Sequence, residues 1–470
     1  MANGGCTIKV VEHSQVSPPP GSVPVTSVPL SFFDLPWLLC RPMQRLFFYH
    51  LPYSTLHFTH SILPSLKASL SATLQIFYPF AAKLICPSSP QKPHILYTDG
   101  DSISFIVAES LADFDRTTGY GGYHVRDVKD LHPFVPELPH ASAVSNTRVS
   151  PLLALQVTVF PNVGISIGAT FCHVLADGRS FNHFMKSWAS FFRSAAGNSA
   201  TVMPLLGRSV IQEKDPCGLE SVLLNGWLSC ASNQEDDKEQ VQRDVFADKV
   251  RATFVIDRAG IQKLKRRVLD RCIEKCEAEL PRASTFVVAC AQVWTCLIKA
   301  QQLSGSLRNQ QDADEFYYFC FPADCRNRPE LAIPATYFGN CLAICFVQVT
   351  GNELVGEDGL VAATKAIGNR VEEFEKGALR GAEKWISNWI EISESGRLLV
   401  MAGSPKLRVY DTDFGWGRPK KTEVVHVDAS PSIYIGDSRD EEGGIEIGLA
   451  LKRYEMDAFI GCFEQGFNTI

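Results

Sequence analysis

At 470 residues and 51.9 kDa, 45% apolar and 20% charged, the chain is long enough for two or more domains and too apolar to be disordered. A net charge of −6 without a basic stripe argues against nucleic acid or an anionic membrane surface as partner. No apolar run approaches the roughly 20 residues that span a bilayer, and MANGGCTIKVVEH lacks the charged start and apolar stretch of a signal peptide. Fifteen cysteines, scattered from Cys6 to Cys462 without a C-x-x-C pair, predict reduced thiols packed as small hydrophobes, not a disulfide frame or a zinc site. A cytosolic protein is the expectation.

In chain order, the sequence opens on a strand (TIKVVEH), a proline-broken loop (SPPPGSVPVTSVP) and an apolar insert, PLSFFDLPW. Ile62, Leu66, Leu70 and Leu74 set a helical stripe over 59–77, and HILY and SISFIV read as short strands. Leu153, Leu155, Val157 and Val159, then Ile165, Ile167, Ala169 and Phe171, alternate with small or polar residues and predict a hairpin with one face inward. The period then changes. Phe181, Phe184, Met185, Trp188 and Phe192 predict an amphipathic helix over 180–193.

Past residue 195 the composition loosens. Residues 201–245, with the acidic stretch NQEDDKEQVQRD at 233–244, read as a crossover linker between an N-terminal half, 1–200, and a C-terminal half, 246–470. The second half opens with a strand (KVRATFVI), a helix (AGIQKLKRRVL) and a buried helix over 284–300. Strands EFYYFCF and CLAICFVQV, helices over 353–376 and 379–391, the strand pair SIYIG and GIEIGLAL, and a closing helix, YEMDAFIGCFEQGF, follow. No short repeat recurs, which excludes solenoids and propellers. Strands and helices mixed without strict alternation predict an α/β class with mixed sheets in two similar halves.

The chemistry centres on TFCHVLADGRSFNHF (170–184), which places His173 and Asp177 on the loop between a strand end and a helix start. As a metal site the pair supplies two ligands and no third, and no G-x-S-x-G elbow exists to make it a hydrolase triad. A lone histidine suffices as the general base that takes a proton from a hydroxyl attacking an activated acyl group. The bland alternative is a histidine satisfied on an ordinary turn. A second motif, DTDFGWGRP at 411–419, is a tight loop rich in glycine and aromatic residues.

H-x-x-x-D-G followed by D-F-G-W-G, in this order and separation, resembles the plant BAHD acyltransferases. YFGNC at 337–341 resembles the mark of their anthocyanin and phenolic glucoside clade, and FFDLPWL, DCRNRPE, GSPK and SRDEEGGIEIGLALK extend the likeness along nearly the whole chain. The resemblance implies two chloramphenicol-acetyltransferase-like α/β domains joined by a crossover loop, with a channel between them. Acyl-CoA enters it from one face as co-substrate, the acceptor from the other, and no cofactor or metal is needed. A monomer is implied as well.

Residue by residue, the resemblance makes His173 the general base. It makes Asp177 a structural aspartate pointing away from substrate, with Arg326 in the matching partner position. Gly178 gives a sharp entry to the helix. Asp413, Phe414, Gly415, Trp416 and Gly417 form an architectural loop near the CoA side. Ser404 is a candidate hydroxyl for the oxyanion. Arg179 could meet the distal carboxylate of a malonyl donor, and Phe181 could wall an aromatic one, although its spacing equally makes it the first core residue of its helix. Many relatives carry a second histidine where this chain has Cys172, and the mechanism does not need it. The expected activity is transfer of a hydroxycinnamoyl group to a sugar hydroxyl of an anthocyanin or flavonoid glucoside. The alternatives are a malonyl donor, an alcohol or amine of another specialised metabolite, or a non-catalytic binding protein of the same fold.

Overall fold

The hairpin the alternation predicts is the centre of a six-stranded sheet. In spatial order its strands are Ile8–Val16, Ile103–Ser110, Leu153–Phe160, Gly164–Phe171, Met43–His50 and Lys421–Val424. The structure is a computed structural model that describes residues 8–87, 91–119, 123–144, 146–194, 202–215, 218–231, 246–276, 280–306 and 314–468. The acidic stretch at 233–244 lies outside the described residues.

One expectation about the hairpin is corrected. Every residue of Leu153–Phe160 and Gly164–Phe171 is buried, on both faces. Two of the polar alternates bond not to water but to the chain at 128–136. Gln156 Nε2 donates to the Pro133 carbonyl at 2.9 Å, and Thr170 donates to that of Pro136. Gly168 lies so close to this cover that a Cβ there would stand 2.1 Å from the Phe134 oxygen. Backbone carbonyls thus satisfy polar groups that the alternation alone would assign to solvent.

A seven-stranded sheet builds the second half. Its order is Leu342–Thr350, Phe316–Asp324, Leu398–Ala402, Ser432–Asp437, Ile445–Lys452, Lys249–Ile256 and Arg126–Asp127. A five-stranded sheet not foreseen from the sequence lies within the first half: Thr26–Pro29, His94–Tyr97, Lys83–Cys86, Thr147–Pro151 and Ser142–Val144. Parallel and antiparallel pairs occur together, since Leu153–Phe160 runs antiparallel to its hairpin partner and parallel to Ile103–Ser110. This is the mixed α/β architecture that the irregular element order predicts.

Each half lends a strand to the other. Lys421–Val424 pairs with Met43–His50, placing Val424 opposite Arg45, and Arg126–Asp127 pairs with Lys249–Ile256. The lent strands are bolted by charge. Glu423 accepts from Arg251 at 2.7 Å and from Arg126, and Arg251 also meets Asp428 at 2.9 Å, all of them buried. Burial alone would raise the Glu423 carboxyl, but the two guanidiniums outweigh it and hold the group at about 2.

The helix Gly178–Arg193 starts two residues before its predicted limit and buries Phe184, Met185 and Trp188 completely. Thr285–Leu303 is long and apolar enough by composition to cross a membrane, yet it lies mostly buried among the Gly359–Lys376 and Arg453–Asn468 helices. The strands Met43–His50, Leu398–Ala402 and Lys421–Val424 fall where the sequence offered no element.

Candidate active site

The edge of the hairpin strand ends at Phe171, and the chain turns through residues 172–177 before the helix begins. Asp177 starts that helix: its Oδ1 accepts from the Ser180 N–H at 2.9 Å, a side-chain N-cap. Its other oxygen, Oδ2, accepts from Arg326 Nη1 at 2.7 Å and from the Cys341 N–H at 3.2 Å. Asp177 and Arg326 are both essentially without solvent exposure. Burial alone would raise the Asp177 carboxyl, but Arg326 and the Ser180 N–H more than compensate and hold it below the ordinary range. Arg326 spends its remaining donors on the carbonyls of Tyr337 and Gly339, on Ser180 Oγ and on the half-exposed Asp324 carboxylate at 3.1 Å. The pair locks the first half's loop to the second half's 337–341 segment.

That segment is YFGNC, and four of its five positions bear on the two loops. The Tyr337 ring lies under the guanidiniums of Arg208 and Arg326. Gly339 has φ +137, and a Cβ there would stand 2.3 Å from Arg208 Nη1, so only glycine fits. The Cys341 N–H serves Asp177, as above. Asn340 serves His173.

The hydrogen bonds of Asn340 fix the tautomer of that histidine. Its Nδ2 lies 2.9 Å from the His173 carbonyl, 3.1 Å from the Val174 carbonyl and 3.0 Å from Asp34 Oδ1. All three are acceptors, so the amide must present its NH2 there and its oxygen to His173. His173 Nδ1 lies 3.0 Å from that oxygen and must donate to it. The proton is therefore on Nδ1, and Nε2 keeps its lone pair. Trp37 stacks on the imidazole at 3.9 Å and 8°, holding the ring plane. Burial pushes the imidazole down to about 4, an effect only partly opposed by a hydrogen bond to its own backbone, by Asp177 and by Asn340. At neutral pH the imidazole is thus uncharged.

His173 opens onto a channel of about 1820 Å³ lined by both halves. Trp37, Phe286, Phe321, Phe374, Trp385 and Trp389 give it aromatic walls. Arg45 and His426 flank the imidazole from the Met43–His50 strand and from the end of its neighbour, Lys421–Val424. Arg45 makes no ion pair among the described residues; its guanidinium rests 5.8 Å from the Tyr434 ring, and burial lowers it to about 10. Among the described residues no cluster of three His, Cys, Asp or Glu side chains could hold a metal, and thirteen cysteines are free thiols.

The remaining sequence candidates separate. Ser404 lines the channel, and its hydroxyl accepts from the Lys406 N–H at 3.3 Å, capping the next turn. Arg179 also lines the channel but is half-exposed and paired with Asp324 at 3.0 Å, so its charge is already matched. Phe181 is not a channel wall: it is buried and stacked on Phe171 at 4.2 Å and 7°, because helical spacing turns it toward the sheet. Gly178 needs no unusual φ, being the first helical residue; what its small size provides is room, since a Cβ would meet Leu407 at 3.2 Å. None of Asp413, Phe414, Gly415, Trp416 and Gly417 lines the channel. Asp413 Oδ1 accepts from the N–H groups of Gly415 and Gly417, both with φ near +90, and Phe414 packs edge-on against Trp188 at 5.0 Å.

Sequence reasoning missed Trp37, Asn340, Arg45 and His426. Trp37 and Asn340 lay inside quoted motifs, FFDLPWL and YFGNC, that carried no assigned chemistry.

The chain is similar to known proteins along nearly its whole length. The model of the Transferase family matches residues 7–465. The coumaroyl-CoA:anthocyanidin 3-O-glucoside-6''-O-coumaroyltransferase 1 of Arabidopsis thaliana is 40% identical, with 97% of each chain covered. The malonyl-coenzyme A:anthocyanin 3-O-glucoside-6''-O-malonyltransferase of Dahlia pinnata is 34% identical, with 98% of each covered. The crystal structure of vinorine synthase shares the fold at a TM-score of 0.67, with 18% identity and 96% of each chain covered.

Proposed function

The chain belongs to the Transferase family, the BAHD acyltransferases, and from that premise we propose that it moves a hydroxycinnamoyl group from CoA to a sugar hydroxyl of an anthocyanin or flavonoid glucoside. The observation that carries the reading is the tautomer of His173, held with Nε2 free in a channel built by both halves. In this reading Nε2 takes the proton of the sugar hydroxyl as its oxygen attacks the thioester carbonyl. The C–O bond forms, the tetrahedral intermediate collapses, the C–S bond breaks, and the imidazolium returns the proton to the departing CoA sulfur. Ser404 is the candidate donor to the oxyanion. Asp177 acts at one remove, fixing the loop through Arg326 and the helix cap. The DFGWG loop supports the fold.

The aromatic walls and the relative that uses coumaroyl-CoA favour an aromatic donor. One observation favours malonyl instead: Arg45, an unpaired guanidinium beside the base, suits a distal carboxylate. The deciding experiment offers p-coumaroyl-CoA and malonyl-CoA in separate reactions with an anthocyanidin 3-glucoside and reads products by mass. Product with coumaroyl-CoA alone is expected. Product with malonyl-CoA alone would overturn the aromatic reading and make Arg45 the next residue to change. A cytosolic monomer fits this reading, because unpaired cysteines suit a reducing compartment.

A further inference from the structure

The apolar insert PLSFFDLPW reaches the base in two ways, once directly and once through Asn340. Trp37 covers the imidazole face. Three residues earlier, Asp34 is completely buried, and its carboxylate reaches the other face of Asn340. Asp34 Oδ1 accepts from both Asn340 Nδ2 at 3.0 Å and the Asn340 backbone N–H at 3.2 Å. Asp34 Oδ2 accepts from the Ser31 N–H at 2.9 Å and its hydroxyl at 2.7 Å, and meets Arg208 Nε at 3.3 Å.

Every group around Asp34 is therefore a donor or a cation. Only an acceptor-only side chain satisfies all of them, and a carboxylate is one. We propose that Asp34 is a positioning residue for catalysis: it orients the Asn340 amide so that its oxygen, not its nitrogen, faces His173 Nδ1, and thereby keeps the proton off Nε2. The inference rests on the reading of His173 as the general base. The chain carboxylate–amide–imidazole runs across the interface of the two halves, from Asp34 in the first to Asn340 in the second and back to His173. Its bonds polarise one another in the same direction, so the negative charge on Asp34 strengthens the Asn340 oxygen as acceptor. The amide spacer delivers this without placing a carboxylate on the imidazole, which leaves the base neutral before substrate arrives.

Asp34→Asn is the direct test, because the volume is unchanged but one acceptor oxygen becomes a donor. Whichever way the new amide turns, its NH2 faces N–H groups: those of Asn340, or those of Ser31 and Arg208. Selective nitrogen-15 labelling of histidine, with His173 assigned by its absence in His173→Gln, reads the tautomer directly. In the wild-type enzyme an Nδ1–H signal for His173 is expected, and an Nε2–H majority would overturn the proposal without any variant. In Asp34→Asn, kcat with p-coumaroyl-CoA and the glucoside is expected to fall about tenfold or more, while KM for the acyl-CoA stays within about twofold. The His173 signal should move toward Nε2–H. Ser31→Ala removes one bond to the distal oxygen only and is expected to leave the tautomer and kcat unchanged. A wild-type tautomer and kcat per folded molecule in Asp34→Asn, even with lowered stability, would assign Asp34 a merely structural role. If His173→Gln itself retained turnover, the general-base reading would fail, a result distinct from normal behaviour of Asp34→Asn beside a dead His173→Gln.

Discussion

The two motif loops stand out equally in the sequence and differ completely in what they contact. The loop at 173–178 is polar and spans the molecule: its carboxylate, carbonyls and imidazole all bond to Arg326, Asn340 and Cys341 from the other half. The loop at 413–417 is closed on itself, with Asp413 accepting from Gly415 and Gly417, and it packs its aromatic rings against Tyr49, Trp188 and Phe192. One fixes a proton; the other fixes a helix. Motif strength in a sequence measures constraint, and constraint on packing looks the same as constraint on chemistry until contacts are known.

Substitutions in the two loops should therefore fail in different ways. His173→Gln is expected to lower kcat about a thousandfold or more with the thermal midpoint and CoA affinity kept, as checked by single-turnover assay beside calorimetry. A fully active variant would reduce the contrast to two structural loops. Asp177→Asn leaves the buried Arg326 with only the half-exposed Asp324 as a carboxylate partner and should cost about 3 kcal/mol in urea unfolding, with kcat per folded molecule falling far less than for His173→Gln. Phe414→Ala, in the other loop, should cost about 3 kcal/mol by opening a cavity against Trp188, with both KM values unchanged. A Phe414→Ala protein of normal stability but raised KM for acyl-CoA would put that loop back among the binding elements.

The smallest expected effect concerns pH. The His173 imidazole, at about 4 when folded against an ordinary value of 6.5, stays neutral well below pH 6. The acid limb of kcat/KM should accordingly lie near pH 4–5, not near 6.5. Linkage has the same origin: below 6.5 the unfolded chain takes up a proton the folded one refuses. This contribution removes stability as pH falls from 6.5 toward 4 and is constant above. His173→Gln should flatten that part of the stability profile.

Much of this was legible in the sequence. The period change after Phe171 placed a helix behind His173, and the family resemblance paired Asp177 with Arg326, the partner it has in the structure. Spacing also gave the correct alternative for Phe181. What stayed hidden depends on contacts between residues far apart in the chain. Asn340 is 167 positions from His173 and 306 from Asp34, and no local period encodes such a meeting. The two-sided burial of the hairpin was hidden for a similar reason, because its cover, residues 128–136, has no alternation of its own to announce it. The Met43–His50 strand was missed because MQRLFFYH shows no clean alternation, and its partners, Gly164–Phe171 and Lys421–Val424, lie far along the chain.

The exchange of strands between halves sets a rule for anyone recombining this enzyme with its relatives. A chimera joined between residues 201 and 245 would bring together a Lys421–Val424 strand and a Met43–His50 strand from different parents, along with Glu423 from one and Arg126 from the other. The crossover that looks natural on a linear map thus cuts through a sheet and a buried charge cluster. New substrate preference is better transplanted as single side chains along the channel wall, where a change disturbs neither parent's scaffold.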